Sequence, residues 1–172
     1  MPLNLKIKLL ADVKPPKKGS IEAAGLDLHS PVDCRVFCNM PPILLDEEGA
    51  PSNVFPNGRI PLGISSEFSA GYVGLIFPRS GLGSGQGLHP RNICGVIDSD
   101  YRGEWRAALR VDSEQHSGDY KKDAAILQVI FLPIAEANEY ELTYADGFVE
   151  IGHVATSDAT VRGEGGFGST TE

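Results

Sequence analysis

The sequence predicts an all-β protein, either a sandwich, a jelly roll or a barrel, and three observations lead there. Its 172 residues include 20 Gly and 12 Pro. This is below the roughly 25–30% of low-complexity chains, yet enough to break the chain about every ten positions, as short strands joined by turns require. Apolar residues alternate with polar ones over several strand-length stretches, and a period of two puts side chains on alternate faces of a pleated strand. No segment of helical length joins an apolar stripe to recognisable caps.

Taken in order, Leu3, Leu5, Ile7 and Leu9 alternate with Asn4, Lys6 and Lys8, which predicts a first strand with one face inward. That stretch has neither the continuous apolar run nor the cleavage site of a secretory signal, so a cytoplasmic, reducing setting is expected. Residues 23–28 (AAGLDL) place Asp27 among small and apolar neighbours, either as a metal-facing acid or as an acid satisfied in a turn. Val32, Cys34 and Val36 form the next alternation. From 38 to 58 the chain carries Pro41, Pro42, Asp46, Glu47, Glu48, Gly49, Pro51, Pro56 and Asn57, and a long acidic loop is expected. Loops of this length are usually functional or disordered.

Residues 73–77 and 125–132 are short, almost wholly apolar runs rich in branched or aromatic side chains, as in strands buried on both faces. A helical turn over 124–127 fits the second run as well. Gln128 interrupts it, and a buried amide must find partners. Trp105, Ala107, Leu109 and Val111, and then Tyr140, Leu142 and Tyr144, complete the alternating strands.

Four segments carry chemistry. In 78–83 (PRSGLG), directly after a strand, Arg79 and Ser80 set a guanidinium beside a hydroxyl, which suits an oxyanion; a turn with a surface Arg fits the same residues. In 95–104 (GVIDSDYRGE), Val96 and Ile97 lead in and the 105–111 alternation leads out. Residues 98–103 are therefore expected at the end of a hairpin, with Asp98, Asp100 and Tyr101 at its tip. Asp98 is placed to take a proton from water, although an Asp in a turn is more often structural. The C-terminal segment 162–170 (RGEGGFGST) matches G-x-G-x-x-G, but only four residues follow Gly168, too few for a dinucleotide-binding unit. What remains is a flexible arm with exposed N–H groups, the fork of Arg162, the hydroxyls of Ser169 and Thr170, and Phe167 to close over a flat ring, or else a plain glycine tail.

Fifteen basic against 23 acidic residues give a net charge of −8, which argues against binding DNA or RNA by phosphate neutralisation. A local Arg cluster still suits one small polyanion. No apolar run approaches the roughly 18 residues of a membrane span. Cys34, Cys38 and Cys94 are an odd set for a disulfide framework, and with His29, His89, His116 and His153 they show no zinc-ligand spacing.

Together these segments resemble the trimeric dUTPase family, whose five motifs match residues 23–28, 78–83, 95–104, 125–131 and 162–170 in order. The resemblance implies a single jelly-roll domain over 1–161 and a C-terminal arm at 162–172. It also implies a homotrimer with active sites at subunit boundaries, each closed by the arm of another subunit. The implied reaction is Mg²⁺-assisted attack of water on the α-phosphorus of dUTP, giving dUMP and pyrophosphate, supplying dUMP for thymidylate synthesis and keeping uracil out of DNA. Asp98 would be the general base and Tyr101 would stack on the deoxyribose. Asn92 and the backbone at Gly95 and Ile97 would read uracil, with Phe167 covering it. Arg79, Ser80, Gly81 and Gln128 would contact phosphates, Arg162, Gly168, Ser169 and Thr170 would take the γ-phosphate side, and Asp27 would hold water ligands of the Mg²⁺.

Three positions depart from the pattern: Ala125 stands where a basic residue is common, Thr171 where Gly often ends the motif, and the 38–58 stretch is long. Lys121 or Lys122 would be expected to supply the missing basic group instead. The long stretch resembles insertions in phage members, which would suit a regulatory protein partner. dCTP deaminase shares the fold and oligomer but lacks the phenylalanine-containing arm, and a purely regulatory trimer would have no use for Asp98, Tyr101 and the arm.

Overall fold

The computed structural model describes residues 2–113, 117–134, 141–145 and 148–152, with side chains described up to 134. Its largest sheet has five strands in the order Gly95–Asp98, Tyr72–Pro78, Ala125–Pro133, Leu26–His29 and Lys17–Lys18. Every neighbouring pair is antiparallel. Ala125–Pro133 lies in the middle, bonded on both sides, as its apolar run predicts. Ala125 already pairs with His29, so the alternative helical turn over 124–127 does not form; a register shift between Ala125 and Leu127 bends the strand instead.

One face of this sheet is core: Leu28, Ile76, Ile97 and Val129 pack with Trp105, Leu109, Ile60, Leu62 and Ile64, all buried. The other face is not. Val73, Leu75 and Phe77 are half-buried and Leu132 is 44% exposed, which corrects the expectation of strands buried on both sides. Directly opposed residues of an antiparallel pair share a face. The register Asp98↔Val73 and the row Phe77↔Gln128↔Asp27↔Lys17 therefore place Asp98, Gln128, Asp27 and Lys17 on this outer face.

A second sheet runs Gly118–Tyr120, Cys34–Val36, Ile43–Leu45 and Pro51–Val54. Its last two strands lie inside the 38–58 stretch, which is a hairpin and not a loop. The Asp46 carboxylate accepts the Ala50 N–H at 2.7 Å to close its turn. Pro51 begins an exposed edge strand, where a missing N–H costs nothing, and so escapes its usual reading as a breaker. Arg35 grips Asp119 with two bonds across this sheet. The Asp33 carboxylate accepts from Lys121 at 2.7 Å and from the Lys122 N–H at 2.6 Å; the ammonium beside it holds that carboxyl below its usual range.

The first strand, Leu5–Leu9, pairs with Ile64–Phe68, with Leu5 and Ile7 turned inward. Trp105, Ala107, Leu109 and Val111 are all buried, as their alternation predicts. Their stretch, however, is split between two partners: Arg106–Ala107 pairs with Ile60–Pro61 and Leu109–Arg110 with His89–Pro90. Gly95–Asp98 pairs with Tyr72–Pro78, so residues 98–103 form a crossover turn between different sheets and not a hairpin tip. Glu141–Ala145 and Phe148–Gly152 form a two-stranded pair.

One helix was unforeseen. Ser80–Gln86 (SGLGSGQ) is rich in glycine, the poorest helix former after proline. Tertiary contacts hold it: Gly87 ends it at φ 64°, a left-handed cap that spares glycine the Cβ penalty, and the Tyr120 hydroxyl donates to Gln86 Oε1 at 3.2 Å. Among the described residues no helix is long and apolar enough to cross a membrane.

Candidate active site

Two cavities receive the residues singled out by sequence. The first, of about 360 Å³, is lined among others by Gly25, Asp27, Arg79, Ser80, Gly81 and Gln128. Arg79 follows the strand Tyr72–Pro78 and precedes the helix, in extended conformation at φ −74° and ψ 142°. Its Nε donates to Asp27 Oδ1 at 3.0 Å and its Nη1 to the Ala125 carbonyl at 3.1 Å. Two of five guanidinium donors are thereby spent on fixing the fork, and three are left for an anion. Gln128 finds the partner its setting demands, donating through Nε2 to the Pro78 carbonyl at 2.9 Å. Gly25 leaves room for this amide, because a Cβ there would stand 2.7 Å from Gln128 Oε1 and push the amide aside. Ala125 thus enters the site through its backbone. Lys121 and Lys122 do not replace its missing charge, since their ammonium groups go to Asp33 and Asp12.

The second cavity, of about 250 Å³, is lined chiefly by apolar groups, with Asn92, Cys94, Gly95, Ile97, Tyr101 and Trp105 among them. Its rim is the strand Gly95–Asp98, the edge of the five-stranded sheet. An edge strand carries backbone N–H and C=O groups with no sheet partner, ready to meet the polar edge of a ligand. Asp98, half-buried, ends this strand, and its carbonyl accepts the Tyr101 N–H at 3.1 Å. Arg102 Nη1 donates to the Ser99 carbonyl at 2.7 Å and the Tyr101 hydroxyl to the Glu104 carbonyl at 3.0 Å, so the turn is tied at both ends.

The Tyr101 ring lies against Gly103, where a Cβ would sit 2.5 Å from Oη and 2.7 Å from Cζ. A rigid ring cannot yield as a flexible chain end does. Gly103→Ala is therefore expected to swing Tyr101 from its place and to raise KM for a ring-stacking substrate about tenfold or more, while the melting temperature moves by only a few degrees. Unchanged KM in steady-state assays would show that the ring position is not used.

Sequence reasoning missed Cys94 and Trp105 as cavity walls. Trp105 was visible only as a core position. Burial pushes the Cys94 thiol up, and that of Cys34 to about 11. A thiol so raised is a poor nucleophile at neutral pH. Among the described residues no group of three His, Cys, Asp or Glu is arranged to hold a metal ion.

Among the described residues none lines both cavities. The residues expected at uracil (Asn92, Gly95, Ile97, Tyr101) share one cavity and those expected at the phosphates and metal (Asp27, Arg79, Ser80, Gly81, Gln128) the other, in separate places on one chain. Arg162, Phe167, Gly168, Ser169 and Thr170, with the rest of the 162–172 arm, lie outside the described residues.

The family model for dUTPase matches residues 51–171. The chain belongs to the dUTPase family. Among its relatives, the deoxyuridine 5'-triphosphate nucleotidohydrolase of Nautilia profundicola is 34% identical over 171 residues, covering 98% of this chain and 99% of that protein. The enzyme of the same name from Anaplasma marginale is 34% identical over 175 residues, covering 98% of each. In fold, the chain is similar to the dUTPase of Staphylococcus bacteriophage 80alpha, with a TM-score of 0.65 at 21% identity over 84% of this chain and 97% of that one. The phage phi11 dUTPase of S. aureus, described with a species-specific insert, gives 0.65 at 18% identity over 84% and 97%. These likenesses make the two antiparallel sheets and their short crossing strands the jelly roll of the dUTPase family.

Proposed function

We propose that the chain is a dUTP diphosphatase whose active site is completed only between subunits. The observation that carries this reading is the division just described: a base-sized apolar cavity beside Asp98 and Tyr101, and apart from it a polar cavity built on Asp27, Arg79 and Gln128. A single nucleoside triphosphate needs both kinds of surface. Juxtaposing one subunit's first cavity with another's second in a trimer provides them.

In this reading uracil enters the cavity below the edge strand and is read by Asn92 and the backbone at Gly95 and Ile97. Tyr101 stacks on the deoxyribose. The triphosphate lies against Arg79, Ser80, Gly81 and Gln128. The substrate is the Mg²⁺ chelate of dUTP, since the dUTPase family is Mg²⁺-dependent. Asp27 suits its water ligands: Arg79 bonds Oδ1, and Oδ2 is left to accept from a bound water. Asp98 takes a proton from the attacking water as the new O–P bond forms at the α-phosphorus, and the bond to the bridging oxygen breaks with pyrophosphate leaving. Such a displacement needs positioning and charge neutralisation more than covalent help. The 162–172 arm closes the site with Phe167 over the base and Arg162, Gly168, Ser169 and Thr170 at the γ-phosphate. The product dUMP feeds thymidylate synthesis in the cytoplasm, and removal of dUTP keeps uracil out of DNA.

Asp98→Asn tests the assignment. The amide is nearly isosteric but takes no proton, so kcat should fall by on the order of 10²–10⁴ while dUTP still binds. Pyrophosphate release near the wild-type rate would remove Asp98 from the mechanism. Ammonia release from dCTP would instead identify a deaminase.

A second role rests on the 38–58 hairpin. The 80alpha phage dUTPase is described as controlling the transfer of virulence genes by a G protein-like mechanism. In this chain the hairpin is tied to the uracil side, because Arg91, next to Asn92, donates through Nη2 to the Met40 carbonyl at 2.9 Å. A regulatory protein seated on the hairpin would thus be coupled to nucleotide binding.

A further inference from the structure

We infer that Lys17 is a triphosphate-binding residue, supplying from the edge of the sheet the positive charge that Ala125 does not. The inference rests on reading the Asp27–Arg79–Gln128 cavity as the phosphate site. Within that cavity the fixed charges cancel. Arg79 is bonded to Asp27 at 3.0 Å, so the pair is close to neutral before a polyanion arrives. A triphosphate, even partly neutralised by its metal ion, calls for a further cation.

The register identifies it. Lys17 stands directly opposite Asp27, which stands directly opposite Gln128, so the three side chains form one row on the outer face of the sheet. Opposed residues of this kind have Cβ atoms about 4.5–5.5 Å apart. The flexible four-carbon stem of Lys17 can therefore carry its ammonium over Asp27 toward the cavity, whose wall includes Gly19 two residues further on. Lys18, opposite Leu26, projects from the other face, and its Nζ donates to the Ile21 carbonyl at 3.4 Å.

Lys121 and Lys122 are committed elsewhere, to Asp33 and Asp12. Lys17 is exposed, and among the described residues no carboxylate lies within ion-pair distance of it. Lysine on an edge strand also serves to prevent edge-to-edge pairing. Lys18 serves that purpose equally well, whereas only Lys17 shares the row of the site.

Four variants decide the matter in steady-state pyrophosphate release with Mg²⁺ and dUTP: Lys17→Gln, Lys17→Arg, Lys18→Gln and Arg79→Gln. Lys17→Gln is expected to raise KM about tenfold with kcat within about twofold, and to make KM less sensitive to salt. Inhibition by dUMP, which lacks the β- and γ-phosphates, should be unchanged. Lys17→Arg should restore KM and Lys18→Gln should leave it at the wild-type value. If Arg79→Gln raises KM but Lys17→Gln does not, or if Lys17→Gln and Lys18→Gln act equally, the role of Lys17 is overturned and the phosphate site stands. If neither Arg79→Gln nor Lys17→Gln affects KM, the reading of the cavity as the phosphate site falls with it.

Discussion

dUTP is expected to be hydrolysed with a kcat/KM on the order of 10⁴–10⁵ above that for dCTP, with dTTP and UTP also strongly rejected. For cytosine the reason is hydrogen bonding. Uracil presents an acceptor, a donor and an acceptor to the backbone of the Gly95–Asp98 edge, and cytosine reverses two of the three, with an amino donor in place of the O4 acceptor and an N3 acceptor in place of the N3–H donor. Two groups that each solvated well in water would then face each other unpaired, and a site built on such bonds discriminates far better than one built on size. For thymine the reason is packing. Ile76, Ile97, Leu127 and Trp105, which line the cavity, are at most 8% exposed and belong to the core, where room for a methyl is made only by moving close-packed neighbours. For UTP the barrier is Tyr101, which cannot retreat from a 2′-hydroxyl because its hydroxyl is tied to Glu104 and its ring rests on Gly103. Pyrophosphate release from the four nucleotides at fixed Mg²⁺ measures all three. Comparable kcat/KM for dTTP and dUTP would overturn the uracil assignment.

Much of this architecture was legible because it is local. Alternation along 105–111 located the buried face of that stretch, and the apolar run around Gln128 located the central strand. Asp98 and Tyr101 belong to one tight turn, so their nearness follows from their spacing. What the sequence hid depends on pairing between distant segments. The bond from Arg79 to Asp27 spans 52 positions and exists because Tyr72–Pro78 and Leu26–His29 flank the same strand. Nothing near residue 104 indicates that the chain leaves one sheet for another there, so a hairpin was the simpler expectation. The helix Ser80–Gln86 runs against its own propensity and is decided by Gly87 and Tyr120. Pro51 reads as a breaker until the edge position of its strand is known. That the two cavities are separate is likewise a property of register, which motif order does not carry.

The separation of the cavities also makes the arm testable. Deleting residues 162–172 should leave thermal stability nearly unchanged, because Phe167 is the one large apolar side chain in that segment and it brings little to a core. Turnover should nevertheless collapse. Arg162, Ser169 and Thr170 are assigned charge-assisted bonds to phosphate, worth roughly 1.5–3 kcal/mol each. Losing them together with the cover over the base corresponds to a fall in kcat/KM on the order of 10³–10⁶. A sharper result follows if arm and base act on the same nucleotide from different subunits. Arm-deleted chains keep Asp98, and full-length Asp98→Asn chains keep the arm, so neither homotrimer should turn over. Mixed in one trimer, an intact Asp98 on one chain meets an intact arm from another, and activity should return well above that of either parent. Tagged co-purification establishes that mixed trimers have formed. If they form and remain inactive, the arm does not act between subunits, and closure must come from the same chain that supplies the base.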